Sequence, residues 1–304
     1  MRLSEVPLSK VQQQLSGKGL VVQTGRFRTR IKSKLKSLSR DLQGLYGDTE
    51  YSQNQLVDFD IELKLAEGVR RYLRPHVSFI FNGHSPFTPL PASQYLPLLE
   101  WGMNWCVSNH YHQVLIIHAA VVEKHGKAIV LPGQPGSGKS TLCAALVAAG
   151  GFRLLSDELT FINLNDGSLI PNPRPLSLKN SSINVIKNLY PEGYYSPVVN
   201  DTIKGSVCLL KAPENSIKRD QEPAFPGLVI FPKYLADAGG SLLEPLDAGR
   251  AFLELANHSF NYPILAEDGF KALSQHMSNA KAYEFIYDGD LRAAIRTMDT
   301  LLRQ

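Results

Sequence analysis

The residues best suited to chemistry form one glycine-rich segment near the middle of the chain. Residues 133–140 read Gly-Gln-Pro-Gly-Ser-Gly-Lys-Ser and match the Walker A pattern, G-x-x-x-x-G-K-[ST], at every fixed position. In such a P-loop the glycines let backbone N–H groups converge on phosphate oxygens, and the following helix adds the positive end of its dipole. We therefore predict a nucleotide-binding loop. Its residues are Gly133, Gln134, Pro135, Gly136, Ser137, Gly138, Lys139, Ser140 and Thr141.

Two side chains of this loop have separate predicted roles. We expect Lys139 to reach the β- and γ-phosphates and Ser140 to ligate Mg²⁺, so the predicted cofactors are ATP and Mg²⁺. The competing interpretation is a glycine-rich turn that carries an exposed lysine. An apolar run before the loop and a helical pattern after it favour the phosphate site.

A pair of adjacent acids, Asp157 and Glu158, follows the next predicted strand at Phe152–Leu155. We expect a parallel neighbouring strand to aim both carboxylates at the phosphates. One acid can hold Mg²⁺ or its waters while the other accepts a proton from an attacking hydroxyl, as phosphoryl transfer requires. Many P-loop ATPases carry the acid after a later strand, but here Leu228–Phe231 runs into Pro232. A solvated pair of loop acids is the competing interpretation.

The elements that position these residues indicate two domains. From Val114 onward, predicted strands alternate with helices, which is typical of an α/β domain. Residues 1–90 read instead as a β-rich region with one short helix. The proline-rich stretch at 85–91 breaks regular structure between them. We therefore predict a β-rich N-terminal domain over residues 1–90 and a P-loop domain over residues 91–304.

Three local predictions concern the second domain. One strand is expected over Val114–Val122, with His118 inside it. The Asp166-Gly167 dipeptide between two short apolar runs predicts a β-hairpin. The stretch Pro171–Thr202, rich in Pro, Asn and Tyr, is expected to be irregular.

Length and composition exclude several classes of protein. With 304 residues, 43% hydrophobic and 20% charged, the chain can bury a large core and is not disordered, collagen-like or a coiled coil. No apolar run approaches the ~20 residues that cross a bilayer, and the N-terminus lacks a signal-peptide core. We therefore expect a cytoplasmic protein without membrane insertion. The cysteines, Cys106, Cys143 and Cys208, show no C-x-x-C spacing and are expected to be reduced thiols.

The formal net charge of +4 has a local source near the N-terminus. Between Arg26 and Lys36, basic residues alternate with other residue types, and this period of two predicts one cationic strand face. A solvated face of a half-buried strand is the simpler interpretation, and a surface for an acidic partner is the alternative. Because no nucleic-acid motif accompanies the strand, we do not predict nucleic acid as a partner.

Three motifs together resemble a known family. His118, in Ile116-Ile117-His118-Ala119-Ala120, lies fifteen residues before Gly133, and the P-loop and the acid pair follow it. This order and spacing resemble those of bacterial HPr kinase/phosphorylases and, more closely, of the group called HPr kinase-related kinase A. The central match covers about residues 114–170. It implies an α/β fold with a P-loop kinase domain of the HPr kinase/PEP carboxykinase type, preceded by the small β-rich domain.

The resemblance implies an ATP- and Mg²⁺-dependent kinase that transfers the γ-phosphoryl group to a hydroxyl, a Ser or Thr of a protein. It implies that His118 and Asp157 assist the acceptor hydroxyl beside Lys139, and that Ser140, Asp157 and Glu158 form the metal site. From the residues alone, a histidine on an apolar strand is more often part of the core. Thr202 stands where the family has a glutamate, and the arginine loop used for phosphorolysis is not found, so the reverse reaction is not predicted.

Several alternatives stay open at this point. One is a nucleotide-dependent regulatory switch in which phosphates order the Pro171–Thr202 segment without transfer. Another is a kinase of a small hydroxylated metabolite. The resemblance also implies a link with exosortase and exopolysaccharide systems. The acceptor, the nucleotide preference and the oligomeric state, including a homo-oligomer, are left open.

Overall fold

The computed structural model of the protein describes residues 1–52, 55–68 and 73–303. The chain forms two compact units, and neither is continuous in sequence. The first unit comprises Met1–Val107, Ser177–Ile183 and Tyr194–Lys211, and the second comprises Ser108–Leu176, Asn184–Gly193 and Ala212–Gln304. These units divide the chain differently from the predicted ranges 1–90 and 91–304, which follow chain order. The boundary at residue 90 stays a prediction.

The first unit contains a sheet in which the strands follow one another in chain order. The strands are β1 (Leu20–Thr24), β2 (Phe27–Ser33), β3 (Phe59–Leu65), β4 (His76–Phe81) and β5 (Leu90–Pro91). Among the residues that the structure describes, α-helices also begin in this part of the chain. They are α1 (Leu8–Ser16), α2 (Lys36–Leu45) and α3 (Tyr95–His110).

The middle of the basic stretch forms β2, and the predicted alternation is confirmed there. The strand ends at Ser33 and Lys36 begins helix α2, so the strand face is shorter than predicted. Phe27 and Ile31 are buried, whereas the basic side chains between them are partly exposed. Arg30 Nη1 and Lys32 Nζ lie 3.0 and 3.2 Å from the carboxylate oxygens of Asp60 on the parallel strand β3. The cationic face is therefore partly neutralised by an acid of the same sheet.

The stretch Pro171–Thr202 is not irregular, so that prediction was wrong. It contains β12 (Leu176–Lys179), α5 (Ser181–Leu189) and β13 (Val199–Thr202). With β14 (Gly205–Leu210) the strands form a sheet in the order β12-β14-β13. Both outer strands have only four residues, which is too short for alternation to stand out among the prolines and asparagines.

The second unit is built on a larger mixed sheet with strand order β16-β17-β15-β8-β7-β9. Its strands are β7 (Ala119–Lys124), β8 (Lys127–Pro132), β9 (Arg153–Ser156), β15 (Phe225–Tyr234), β16 (Leu242–Pro245) and β17 (Lys281–Tyr287). Strands β8, β15 and β17 are parallel, whereas β7 is antiparallel to both β8 and β9. The carboxyl ends of β8, β9, β15 and β17 therefore share one edge with the amino end of β7.

A smaller sheet, with order β11-β10-β6, accompanies it in this unit. It consists of β6 (Val114–Ile117), β10 (Thr160–Asn163) and β11 (Leu169–Ile170). The predicted hairpin is confirmed, since β10 and β11 pair antiparallel around Asp166-Gly167. The single strand predicted over Val114–Val122 is wrong. The chain bends at His118, because β6 belongs to the smaller sheet and β7 to the larger one.

Helices complete the second unit and enclose its core. They are α4 (Lys139–Gly150), α6 (Glu214–Lys218), α7 (Ala248–Asn257), α8 (Tyr262–Ser278) and α9 (Leu291–Leu302). One buried apolar cluster joins Leu115 of the smaller sheet, Val130 of the larger sheet and Leu273 of α8. Within the described ranges, no helix has both the length and the apolar character that a membrane span requires.

Candidate functional site

The predicted P-loop connects β8 to α4, as its motif requires. β8 ends at Pro132 and α4 begins at Lys139. Gly136 and Gly138 have φ angles of 89° and 88°, a left-handed conformation that favours glycine over any residue with a side chain. Gln134, Pro135 and Gly136 are exposed at the tip of the loop. The loop therefore has left-handed glycines at two positions of the predicted phosphate-binding motif.

Lys139 and His118, which the sequence separates by 21 positions, are in contact. Lys139 is only 7% exposed, and its Nζ lies 2.9 Å from His118 Nε2 and 3.2 Å from the carbonyl oxygen of Gly133. An ammonium group can only donate, so Nε2 accepts this hydrogen bond and a neutral ring carries its proton on Nδ1. His118 thus holds the head of the lysine that is expected to bind phosphate.

Strand register explains why these residues meet. Ala119 of β7 pairs with Pro132 of β8, and Val121 of β7 pairs with Ser156 of β9. His118 precedes the first of these pairs, Gly133 follows Pro132, and Asp157 follows Ser156. We expected β9 to be the parallel neighbour of β8, and this is wrong because β7 lies between them. The acid still reaches the same edge, since β8 and β9 both run antiparallel to β7.

Asp157 and Glu158 lie where the chain passes from the larger sheet to the smaller one. Asp157 is 4% exposed, and Glu158 is half-buried. The Ser156 hydroxyl accepts a hydrogen bond from the Leu159 N–H at 3.2 Å, and the Thr160 hydroxyl donates to the Ala119 carbonyl at 3.0 Å. These bonds fix the turn. The competing interpretation of a solvated acid pair therefore does not fit Asp157.

The buried thiol of Cys143 is affected by charged groups near the P-loop. Cys143 lies one helical turn after Lys139 on α4 and is fully buried. Burial raises the pKa of this thiol well above its ordinary value, the Asp157 carboxylate raises it further, and the Lys139 ammonium lowers it. The candidate base and the P-loop lysine are therefore both within electrostatic range of one group.

The loop between α7 and α8 holds β6 in place and was missed as part of the site. Asn261 is fully buried, and its Oδ1 accepts a hydrogen bond from the Ile116 N–H at 2.9 Å. Its Nδ2 donates to the Val114 carbonyl at 2.8 Å, and the Ser259 hydroxyl donates to the Ile116 carbonyl at 2.9 Å. Asn261 thus satisfies backbone groups of a strand that lies about 145 positions earlier.

The same loop surrounds His118. The His118 N–H donates to the carbonyl oxygen of His258 at 2.7 Å. The ring of Phe260 meets the imidazole edge to face, with centroids 5.9 Å apart. The sequence alone does not indicate that this loop returns to His118. Residues 258–261 read as a short connection between two helical patterns, and such a local pattern does not reveal a distant partner.

The residues at this edge suit magnesium better than a softer metal. In the described ranges, no group of three or more His, Cys, Asp or Glu side chains is placed to hold a metal ion. Mg²⁺ keeps several waters and is usually held by one or two carboxylates together with substrate phosphates. Asp157, Glu158 and the half-buried Ser140 at the start of α4 supply such donors. The set fits the predicted ion as part of a nucleotide complex.

We expect that Lys139→Met weakens ATP binding by about 10- to 100-fold, because a charge-assisted contact worth about 1.5–3 kcal/mol is lost. AMP has no β- or γ-phosphate, so its affinity should fall less than about threefold. Calorimetric titration with each nucleotide measures both effects. The matched control is Lys127→Met, since Lys127 is exposed at the opposite end of β8. Equal losses for ATP and AMP would contradict the role of Lys139.

Comparison with known proteins adds little to this geometry. Neither the search of protein-family models nor the search of curated proteins finds a match. Among solved structures, the chain is similar to the Hpr(Ser) kinase/phosphatase from Coxiella burnetii, with 12% identity and a TM-score of 0.28. That alignment covers 62% of this chain and 93% of the other. The narrower resemblance to the HPr kinase-related kinase A group stays a prediction, and the interpretation of the site rests on its own residues.

Proposed function

We propose that the protein is an ATP- and Mg²⁺-dependent phosphotransferase that passes the γ-phosphoryl group to a hydroxyl, a Ser or Thr of a protein. The observation that carries the proposal is the register of β7, β8 and β9. That register supports it because a P-loop lysine, a histidine and a buried aspartate come to the same edge of one sheet. A nucleotide-binding loop alone would require only the lysine.

In the proposed reaction the acceptor oxygen attacks the γ-phosphorus. A new O–P bond forms, the bond between the γ-phosphorus and the β–γ bridging oxygen breaks, and ADP leaves. The acceptor hydroxyl proton passes to the Asp157 carboxylate, which acts as general base. Lys139 stabilises the negative charge on the phosphate oxygens.

His118 has a supporting part in this proposal. Its Nε2 accepts a hydrogen bond from the Lys139 ammonium, so it directs the charge that faces the phosphates. Its backbone and ring are fixed by His258 and Phe260, which leaves little freedom for that direction to change. Such pre-arranged charge requires little reorganisation when the reaction occurs.

Ser140, Glu158 and Asp157 are the residues proposed to hold Mg²⁺. When bound, the ion would neutralise charge that develops on the β- and γ-phosphate oxygens. Ser140 belongs to the first turn of the P-loop helix, and both carboxylates follow the strand that ends at the same edge.

Isotope transfer tests the proposal. The purified protein is incubated with a cell extract of its source organism and with ATP labelled at either the γ- or the α-phosphate. We expect acid-stable label on a protein from γ-labelled ATP and none from α-labelled ATP. Label on a small molecule would favour a metabolite kinase. ATP binding without any transfer would overturn the proposal and favour the regulatory switch.

A further inference from the structure

Two tyrosines at the carboxyl ends of β15 and β17 contact the backbone of the P-loop. The Tyr287 hydroxyl donates a hydrogen bond to the carbonyl oxygen of Gly138 at 3.1 Å. The backbone N–H of Tyr234 donates to the carbonyl oxygen of Ser137 at 3.0 Å. Two successive carbonyl groups of the loop are thus held by neighbouring strands of the sheet.

Holding these carbonyl groups also fixes the N–H groups that follow them. A peptide unit is planar and trans, so its C=O and N–H point to opposite sides of the chain. The bond to the Ser137 carbonyl therefore fixes the direction of the Gly138 N–H. The bond to the Gly138 carbonyl does the same for the Lys139 N–H. These two N–H groups belong to the part of a P-loop that cradles phosphate.

The Tyr287 side chain is itself held firmly. It is 2% exposed, and its ring stacks on that of Phe285 with centroids 5.5 Å apart. Burial raises the pKa of its hydroxyl, and Tyr234 raises it further, so the hydroxyl stays protonated and remains a donor. A Cβ atom at Gly138 would lie 2.2 Å from the Tyr287 hydroxyl oxygen, so only glycine leaves room for this contact.

The Gly138 carbonyl has a second bond that depends on the same geometry. It accepts the N–H of Leu142 at 2.9 Å, which is the first hydrogen bond of helix α4. Tyr287 therefore holds the peptide at which the loop becomes a helix. Loss of the Tyr287 hydroxyl would leave the hydrogen bond from Leu142 to Gly138 in place. It would remove the second hydrogen bond that fixes the orientation of the peptide between Gly138 and Lys139.

We infer that Tyr287 is a positioning residue that pre-orients the P-loop N–H groups for phosphate, and this inference rests on the proposed function only in requiring that the loop bind nucleotide. Pre-orientation lowers the cost of ordering the loop when phosphate arrives. Tyr287 does not touch the nucleotide in this account. Its effect is on polyphosphate affinity rather than on the chemical step.

Tyr287→Phe tests the inference because it removes one oxygen and keeps the stacked ring. We expect the Kd for ATP and for inorganic tripolyphosphate to rise about three- to tenfold, the effect of losing one neutral hydrogen bond. The maximal rate of ATP turnover should stay within about twofold. Tyr283→Phe is the matched control, since Tyr283 lies on the same strand four residues before Tyr287 and pairs with β15 and β16. Its affinities should equal those of the wild type.

A second readout does not depend on nucleotide, and its first part uses the unaltered protein. In the unaltered protein, NMR should show a slowly exchanging Tyr287 hydroxyl proton close to Gly138, and in Tyr287→Phe the carbonyl carbon of Gly138 should shift. The inference is overturned if the wild type binds ATP and the variant binds it within twofold as tightly, or if that proton is absent. If the wild type binds neither ATP nor tripolyphosphate, the proposed function fails whatever the tyrosine does.

Discussion

Asp157→Asn is expected to slow phosphoryl transfer by about 10²- to 10⁴-fold, the range for loss of a general base. Asparagine keeps the shape of the side chain but cannot take up the acceptor proton. If Asp157 acts mainly as the base, ATP affinity should stay within about twofold, since this residue is buried after β9 and is not part of the loop. Single-turnover transfer of label and calorimetry with ATP measure the two quantities separately.

A magnesium titration separates the two roles proposed for Asp157. If it acts mainly as the base, the loss of rate should persist at high Mg²⁺, whereas a loss that high Mg²⁺ restores would assign it to the metal site. Asp268→Asn is the control, because Asp268 is an exposed acid on α8. Transfer at the wild-type rate in Asp157→Asn would remove Asp157 from the mechanism.

Acidification from pH 7 to pH 4 is expected to destabilise the second unit by about 3 kcal/mol through His276 alone. His276 is fully buried on α8, and its Nδ1–H donates to the Gly167 carbonyl at 3.0 Å. Burial lowers its pKa from 6.5 to about 4. Below pH 6.5 the unfolded chain takes up a proton that the folded protein refuses. The contribution of neutral, buried His276 to the free energy of unfolding is therefore complete above pH 6.5 and is lost as the pH falls toward 4.

Urea unfolding between pH 7.5 and pH 4 checks this expectation. His276→Asn offers an amide N–H in place of Nδ1–H and cannot become charged, so its free energy of unfolding should depend less on pH than that of the wild type. His125→Asn is the control, since His125 is a half-exposed surface residue. Parallel pH profiles for the wild type and His276→Asn would show that His276 does not set the acid sensitivity.

The P-loop could be predicted because its information is local. The glycines, lysine and serine lie within eight positions, and the conformations they require follow from residue type alone. The alternation in β2 and the Asp166-Gly167 hairpin are equally local, and both were predicted correctly. Short-range rules apply wherever the partner of a residue is a near neighbour in sequence.

The remainder of the site depends on sheet order, which local patterns do not encode. The run of apolar residues over Val114–Val122 has no feature that marks a change of sheet at His118. Placing β7 between β8 and β9 requires knowledge of which strands pair. Tyr287 and Asn261 are ordinary strand and loop residues until the structure shows which carbonyl groups they contact.

The hydrogen bonds of Asn261 to β6 have a consequence for folding during synthesis on the ribosome. The P-loop, His118 and Asp157 are all synthesised within some 40 residues, but β6 lacks its Asn261 partner until about a hundred further residues have been made. Contacts between such distant positions form late, because a long loop must close first. A nascent chain that has emerged only as far as β14 therefore carries every motif of the site without the support that aligns His118. We therefore expect the alignment of His118 to form only near the end of synthesis.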